Sequence, residues 1–103
     1  MREREYRAAM LLECLGEPNR FQILRWLESR PRSVSELARL MKRSLPTVCH
    51  HLAVLRMMHL VRFRNRGVNT FYELKTPVAL DLLRAAIDIA PKLALTDAEA
   101  NRS

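Results

Sequence analysis

The chain has 103 residues, 49% of them apolar, with a formal net charge of +7. That length suits one domain with a modest core and makes oligomerisation a reasonable supplement to its stability. Two cysteines are too few for a disulfide framework, no apolar run approaches the roughly 18 residues of a membrane span, and the first seven residues alternate charges with no signal-peptide core. A cytoplasmic location with no membrane partner is therefore expected.

Residues 2–15 read as a helix with Ala8, Leu11, Leu12 and Leu15 on one face and Glu3 one turn before Arg7. Gly16 ends it. Pro18 opens a second helix, 18–29, with Phe21, Ile23, Leu24 and Leu27 as its apolar positions, and Trp26 faces elsewhere, toward a seam or a partner. Arg30-Pro31 breaks the pattern. Ser33-Val34-Ser35-Glu36 is a capping-box sequence that starts a short third helix, 34–41, with Leu37, Leu40 and Met41 apolar. Lys42-Arg43 makes a turn. A fourth helix, 45–58, follows with Ser44 as N-cap, Pro46 in the first turn and Leu45, Val48, Leu52 and Leu55 as an apolar stripe.

After Leu60 the period falls to two. Val61, Phe63 and Phe71 alternate with Arg62, Arg64 and Thr70, and Arg64-Asn65-Arg66-Gly67 lies between the two runs, which predicts a β-hairpin with a cationic tip. Thr76-Pro77 begins a last helix, 78–90, with Val78, Leu82, Leu83, Ala86, Ile87 and Ala90 apolar. Pro91 ends or kinks it. Residues 1–92 thus read as one domain and 93–103 as a frayed tail. The expected fold is mainly α with a small β-hairpin: four helices, two strands and a final helix, in that order.

Two short helices joined by a tight turn fit a helix-turn-helix, and the fourth helix has the composition of a recognition helix. Between its stripe residues lie Thr47, Cys49, His50 and Arg56, with no acid among them. The charge distribution agrees. Residues 37–72 contain no Asp or Glu but hold Arg39, Lys42, Arg43, Arg56, Arg62, Arg64, Arg66 and all three histidines. Exclusion of acids from one contiguous third of a chain is the electrostatic footprint of a polyanion partner.

Leu15-x-x-Pro18-x-Arg20-x-x-Ile23-Leu24 and Ser44-x-x-Thr47-Val48-x-x-His51-Leu52-x-x-Leu55, followed by the Arg64-Asn65-Arg66-Gly67 hairpin, resemble the ArsR/SmtB winged-helix transcriptional repressors. The resemblance implies a winged helix-turn-helix, a homodimer built through the first and last helices, and repression of a double-stranded DNA operator that a signal relieves. The inducer is unknown. Two departures bear on that signal. Many members of the family carry metal-binding Cys-x-Cys before the third helix, where this chain has Ser33-Val34-Ser35, and hydroxyls are poor ligands for soft metals. Other members use Asp and His on the last helix, where this chain has Asp81 and Asp88 but no His. Neither site carries over, so no metal and no cofactor are expected. A third departure is Met58-His59, where the family commonly has Ala-Gly; His59 would have to take a left-handed conformation to cap the helix.

The candidate DNA contacts are Lys42, Arg43, Ser44, Leu45, Pro46, Thr47, Cys49 and His50, with Arg62, Arg64, Asn65 and Arg66 on the hairpin. Leu45, Pro46, Cys49 and His50 stand at the family's base-facing positions, and Leu45 there favours apolar contact with thymine methyls. The hairpin arginines suit phosphates or a minor groove. The dimer candidates are Leu11, Leu12, Leu82 and Ile89. His51 lies about 100° around the helix from His50, too far to share one ion, and is expected to pack or hydrogen-bond behind the recognition face. Cys49, near a helix N-terminus in a cationic region, is either a small groove residue or a possible redox or metal-responsive thiol. Cys14, beside Leu11, Leu12 and Leu15, reads as a small buried hydrophobe. No catalytic set is visible, so an enzyme is not expected; the alternative from another class is a winged-helix module that takes a protein or RNA partner.

Overall fold

The computed structural model describes residues 2–93; the expected frayed tail lies, from residue 94 onward, outside the described residues. Helix α1 (Glu3–Leu15) carries the Glu3–Arg7 ion pair at 2.9 Å, on its exposed side. Only Cys14 and Leu15 are buried in it; Leu11 is half-buried, and Ala8 and Leu12 are exposed, so its apolar face meets the core only at the C-terminal end. Gly16 stops the helix with a right-handed φ of −80° and donates its N–H to Leu12 O at 2.9 Å. A Cβ at that position would lie 3.2 Å from the same carbonyl.

Helix α2 (Pro18–Leu27) is capped by Glu17, whose Oε1 accepts the Arg20 N–H at 2.9 Å. Its buried residues are Ile23, Leu24 and Leu27, as the spacing predicts, together with Arg20; Phe21 is half-buried. The helix ends two residues short of the expected Ser29, and the chain passes through Arg30-Pro31 into a two-residue strand, β1 (Arg32–Ser33), that the periodicity does not predict. Ser33 Oγ then accepts the Glu36 N–H at 3.1 Å and caps α3 (Val34–Met41), while the Glu36 carboxylate pairs with Arg30 and Arg32.

The turn after α3 is built on Lys42, which adopts a left-handed φ of 56°. Arg43 N–H reaches Ala38 O at 3.0 Å and Lys42 N–H reaches Arg39 O at 3.3 Å, the paired bonds of a Schellman ending. Helix α4 (Leu45–Met57) begins at once, with Ser44 Oγ accepting the Thr47 N–H at 3.3 Å. It ends by the same device as α3: His59 has φ 63°, Leu60 N–H bonds Leu55 O at 3.0 Å, and His59 N–H bonds Arg56 O at 2.9 Å. The expected left-handed histidine is present.

Strands β2 (Val61–Arg66) and β3 (Asn69–Leu74) pair antiparallel, and β1 adds to the far side of β3. The register runs from Val61 opposite Leu74 to Arg66 opposite Asn69, so the turn is Gly67-Val68 and not the predicted 64–67 stretch. Gly67, at φ 61°, supplies the left-handed residue that the turn requires. Phe63 does not join the core: it is 42% exposed and packs against Tyr72.

Helix α5 (Val78–Ile89) starts where Thr76 Oγ1 accepts the Val78 N–H at 3.2 Å, and a 3₁₀ turn through Pro91 follows it. Its buried residues are Ala79, Leu80 and Leu83. The expected set is therefore rotated: Val78, Ala86, Ile87 and Ala90 are exposed and Leu82 is half-buried, because only a narrow strip of α5 meets the body. The fully buried centre is Ile23, Leu24, Leu37, Val48, Leu52, Leu55, Val61 and Leu83, drawn from α2 to α5 with β2 between. Among the described residues no helix is long and apolar enough to cross a membrane.

Candidate nucleic-acid interface

Helix α4 divides cleanly. Val48, His51, Leu52 and Leu55 are buried, while Leu45, Pro46, Cys49 and His50 are exposed. Leu45, 49% exposed, leaves the stripe that its spacing suggested and joins the outward set, because a residue in the first turn lies beyond the edge of the core. Thr47 is half-buried and its Oγ1 accepts from Ser44 Oγ at 2.9 Å, so both hydroxyls hold the helix start. The preceding turn is tied to α2: Arg43 Nε donates to Asn19 Oδ1 at 3.1 Å. Lys42, Arg43 and Ser44 are exposed beside the outward face of α4. At the other end of the helix, the Arg56 guanidinium stands 5.1 Å from the centre of the Phe63 ring and bridges α4 to the hairpin.

On the hairpin, strand alternation sends Arg62, Arg64 and Arg66 to one face and Phe63 and Asn65 to the other. Asn65 Oδ1 accepts from Thr70 Oγ1 at 2.9 Å across the ladder. The arginine face is not free of acid. Glu73 lies opposite Arg62, and its Oε2 accepts from Nε of both Arg62 and Arg64 at 2.7 Å each. The hydrogen bonds from Arg62 and Arg64 hold the Glu73 carboxyl below the usual carboxylate range. Arg66, nearest the tip, makes no ion pair among the described residues. Glu73 escapes the sequence pattern because it stands one residue beyond the acid-free stretch. The signal that finds it is the two-residue turn at Gly67-Val68, which sets position 62 against position 73.

Behind the recognition face lies a buried polar group that the sequence discloses only in part. His51 is 9% exposed and Arg20 is 7% exposed. Arg20 Nε donates to Cys14 O at 2.9 Å, and Arg20 Nη1 stands 3.3 Å from His51 Nδ1. Glu17 Oε1 lies 3.8 Å from the same ring nitrogen. His51 thus hydrogen-bonds behind the face, as expected, and its partner is the Arg of the second-helix motif. Cys14 is buried, and burial pushes its thiol up against the opposing pull of Arg20; Cys49 is exposed. Of the two hydroxyls at the thiolate positions, Ser33 is occupied in capping α3 and Ser35 is exposed.

Of the four dimer candidates, Leu12 and Ile89 are exposed, at 56% and 51%, while Leu11 and Leu82 are half-buried. An apolar cleft of about 160 Å³, lined by Leu12, Leu15, Gly16, Phe21, Leu82, Leu83 and Ala86, runs between α1 and α5.

This arrangement of elements has relatives. Residues 17–62 match the family model described as bacterial regulatory protein, arsR family. The transcriptional regulator KmtR of Mycobacterium tuberculosis is 40% identical over 77 residues, which cover 75% of this chain and 59% of KmtR. The transcriptional repressor BigR of Xylella fastidiosa superposes with a TM-score of 0.72 at 31% identity, covering 84% of this chain and 86% of BigR. The chain belongs to the arsR family of bacterial regulatory proteins. The M. tuberculosis protein Rv0081 has the same fold, with a TM-score of 0.83 and 28% identity over 94% of this chain and 97% of its own. The arsR match spans the α2 cap, the helix-turn-helix and the start of the hairpin, and it takes in nearly all of the two motifs that carry the sequence resemblance. The fold is a winged helix-turn-helix, with β2 and β3 as the wing. The chain spans about three-fifths of the length of two curated relatives it matches, 59% and 61%.

Proposed function

We propose that this arsR-family chain is a homodimeric, cytoplasmic regulator of transcription, a repressor, that binds an imperfect inverted repeat in double-stranded DNA. The observation that carries the reading is the surface at the start of α4. Lys42, Arg43, Leu45, Pro46, Cys49 and His50 are exposed there with no acid among them, on a helix whose opposite side is locked into the core. Such a helix, held rigidly by its back face, can enter a major groove N-terminus first. Arg66, with Arg62 and Arg64 behind it, supports phosphate contact by the wing, and Asn65 adds a polar group on the other side of β2.

A second copy completes the molecule. The α1–α5 cleft and exposed Leu12 and Ile89, flanked by half-buried Leu11 and Leu82, supply apolar surface that a partner's equivalent helices would cover. Two-fold pairing would then place two α4 helices about one DNA turn apart. BigR is a transcriptional repressor, which supports the direction of regulation. With Ser33 and Ser35 at the thiolate positions, soft metals are not expected to release DNA.

The test is a duplex selected by the protein from a random-sequence pool, measured at two salt concentrations against single-stranded DNA and RNA competitors. Binding that falls steeply with salt and survives both competitors supports the reading. Equal competition by RNA would replace it with the RNA-module alternative. Exposure of Cys49 favours one elaboration, a redox response. Peroxide should then abolish binding by the native chain and spare Cys49→Ser; an insensitive native chain would leave Cys49 as a groove residue.

A further inference from the structure

The polar group beneath α4 holds one ring nitrogen between a cation and an anion. His51 Nδ1 stands 3.3 Å from Arg20 Nη1 and 3.8 Å from Glu17 Oε1. A guanidinium only donates, so the bond with Arg20 requires Nδ1 to offer its lone pair and His51 to be the neutral tautomer with hydrogen on Nε2. We propose that Arg20 and His51 are positioning residues for the recognition helix, and that a proton on His51 Nδ1 exchanges its partner from Arg20 to Glu17, unseats α4 and weakens DNA binding. The effect on DNA rests on the functional reading above; the exchange itself does not.

The chemistry is a simple protonation. A solvent proton takes the Nδ1 lone pair, and no bond other than the hydrogen bond to Arg20 is broken. Two buried cations would then face each other across 3.3 Å, and Glu17 Oε1 is the acceptor within reach of the new N–H. That oxygen already accepts the Arg20 N–H as the cap of α2, at 2.9 Å. Drawing it toward His51 loosens the cap, and movement of the ring moves the middle of α4. Arg20 also grips Cys14 O at the end of α1 through Nε, so three helices meet on one guanidinium. The dimer-candidate Leu12 lies in the last turns of the same α1, which links the seat of α4 to the subunit contact.

The groups facing His51 are Glu17, the cap of α2, Arg20 from α2 itself, and His50 from α4, whose ring centre is 5.2 Å away; from α1, the Cys14 thiol lies against Arg20. Burial pushes His51 down, Glu17 draws it up, and Arg20 and His50 push it down again, leaving it below its ordinary value of 6.5. The neutral, Arg20-bonded form is thus the one that the fold favours at neutral pH.

The test uses the full chain and has two readouts. Nitrogen NMR of the histidine rings, from about pH 8 to about pH 5, should show His51 Nδ1 unprotonated at the alkaline end. It should gain its proton in step with a shift of the Arg20 Nε–H signal. Affinity for the selected duplex is then compared between the native chain and His51→Asn, whose amide oxygen accepts at the position of Nδ1 but takes no proton. His50 and His59 are common to both proteins, so the ratio reads what the replacement at position 51 changes. The native chain should match His51→Asn at the alkaline end and bind roughly tenfold more weakly at the acid end. A proton on Nδ1 at about pH 8, or a flat affinity ratio while Nδ1 titrates, would overturn the proposal. If His51→Asn fails to fold, the ring titration of the native chain decides the partner exchange. Failure of both proteins to bind duplex at any pH would sink the DNA reading and, with it, the effect on binding; the ring titration would still decide the exchange.

Discussion

His51 shows what one buried nitrogen does to this protein. Its pKa is lowered from 6.5 in the fold, first by burial, so the unfolded chain takes up its proton before the folded one does. Stability from this group is complete above about 6.5 and is lost as pH falls through the lower folded value. Thermal melts should therefore fall in midpoint below that pH in the native chain and hold steady in His51→Asn, down to the range where carboxylates titrate. There Glu36 and Glu73, held below 4.5 first by hydrogen bonds from arginine, add their own losses, as does Glu17, whose burial raises it but whose backbone hydrogen bonds and neighbouring His51 and Arg20 charges together bring it below 4.5. A native melt that is flat until that lower range would show that His51 is not titrating in a buried site. About 100° around α4 from His51, exposed His50 would, on the proposed DNA reading, meet a base edge. His50→Ala should cost about 1–3 kcal/mol at one operator position and relax the preference there. A uniform loss across all positions would place His50 on the backbone.

Among the elements, the wing and the end of α4 make the sharpest claims. Glu73 holds Arg62 and Arg64 to the sheet through one carboxylate, while Arg66 stands apart. Arg64→Ala with Arg66→Ala should weaken all duplexes about equally and flatten the salt dependence by roughly 0.9 in slope for each phosphate no longer neutralised. Glu73→Gln should do the reverse, tightening binding to every duplex as two guanidiniums are released. If the double variant alters sequence preference at unchanged slope, the wing reads bases. The end of α4 rests on His59 at φ 63°, a conformation strained for any side chain with a Cβ. His59→Gly should remove that strain and, after its own loss of chain entropy, raise stability by roughly 0.5–1 kcal/mol in a denaturant titration. A loss of stability would show that the imidazole makes a contact that outweighs the strain.

The whole molecule is unbalanced toward its terminal helices. Tyr6, Met10 and Leu12 on α1, and Val78, Ile87 and Ile89 on α5, are exposed large apolar residues, while the helix-turn-helix between them is well buried on one side. On the proposed reading, this surface is where a second copy packs. Sedimentation at micromolar concentration should show a dimer, and Leu12→Glu with Ile89→Glu should shift it to monomer and remove tight duplex binding together. A native chain that sediments only as monomer would remove the basis for the paired recognition helices.

Periodicity and caps are enough to place every long helix, the helix-turn-helix and the wing, because these features depend on residues within one or two turns of each other. Ser33, Ser44, Gly16 and Thr76 act locally, and each stands where its chemistry puts it. The wing turn falls elsewhere than local chemistry suggests: 64–67 has turn-like residues, but the ladder between 61–66 and 69–74 outweighs their preference. Other features depend on contacts between segments distant in sequence. Strand β1 exists only because β3 presents an edge to it, and the buried strip of α5 is decided by what it meets, leaving Leu82 half-covered. The acid-free stretch is legible as sequence, yet folding returns Glu73 to Arg62 and Arg64. The bond between Arg20 and His51 spans 31 positions, and neither residue's neighbours in the chain disclose it. Local backbone preference and hydrophobic period determined which helices and wing strands form; only packing decided that β1 forms, which faces are covered, and which charge meets which.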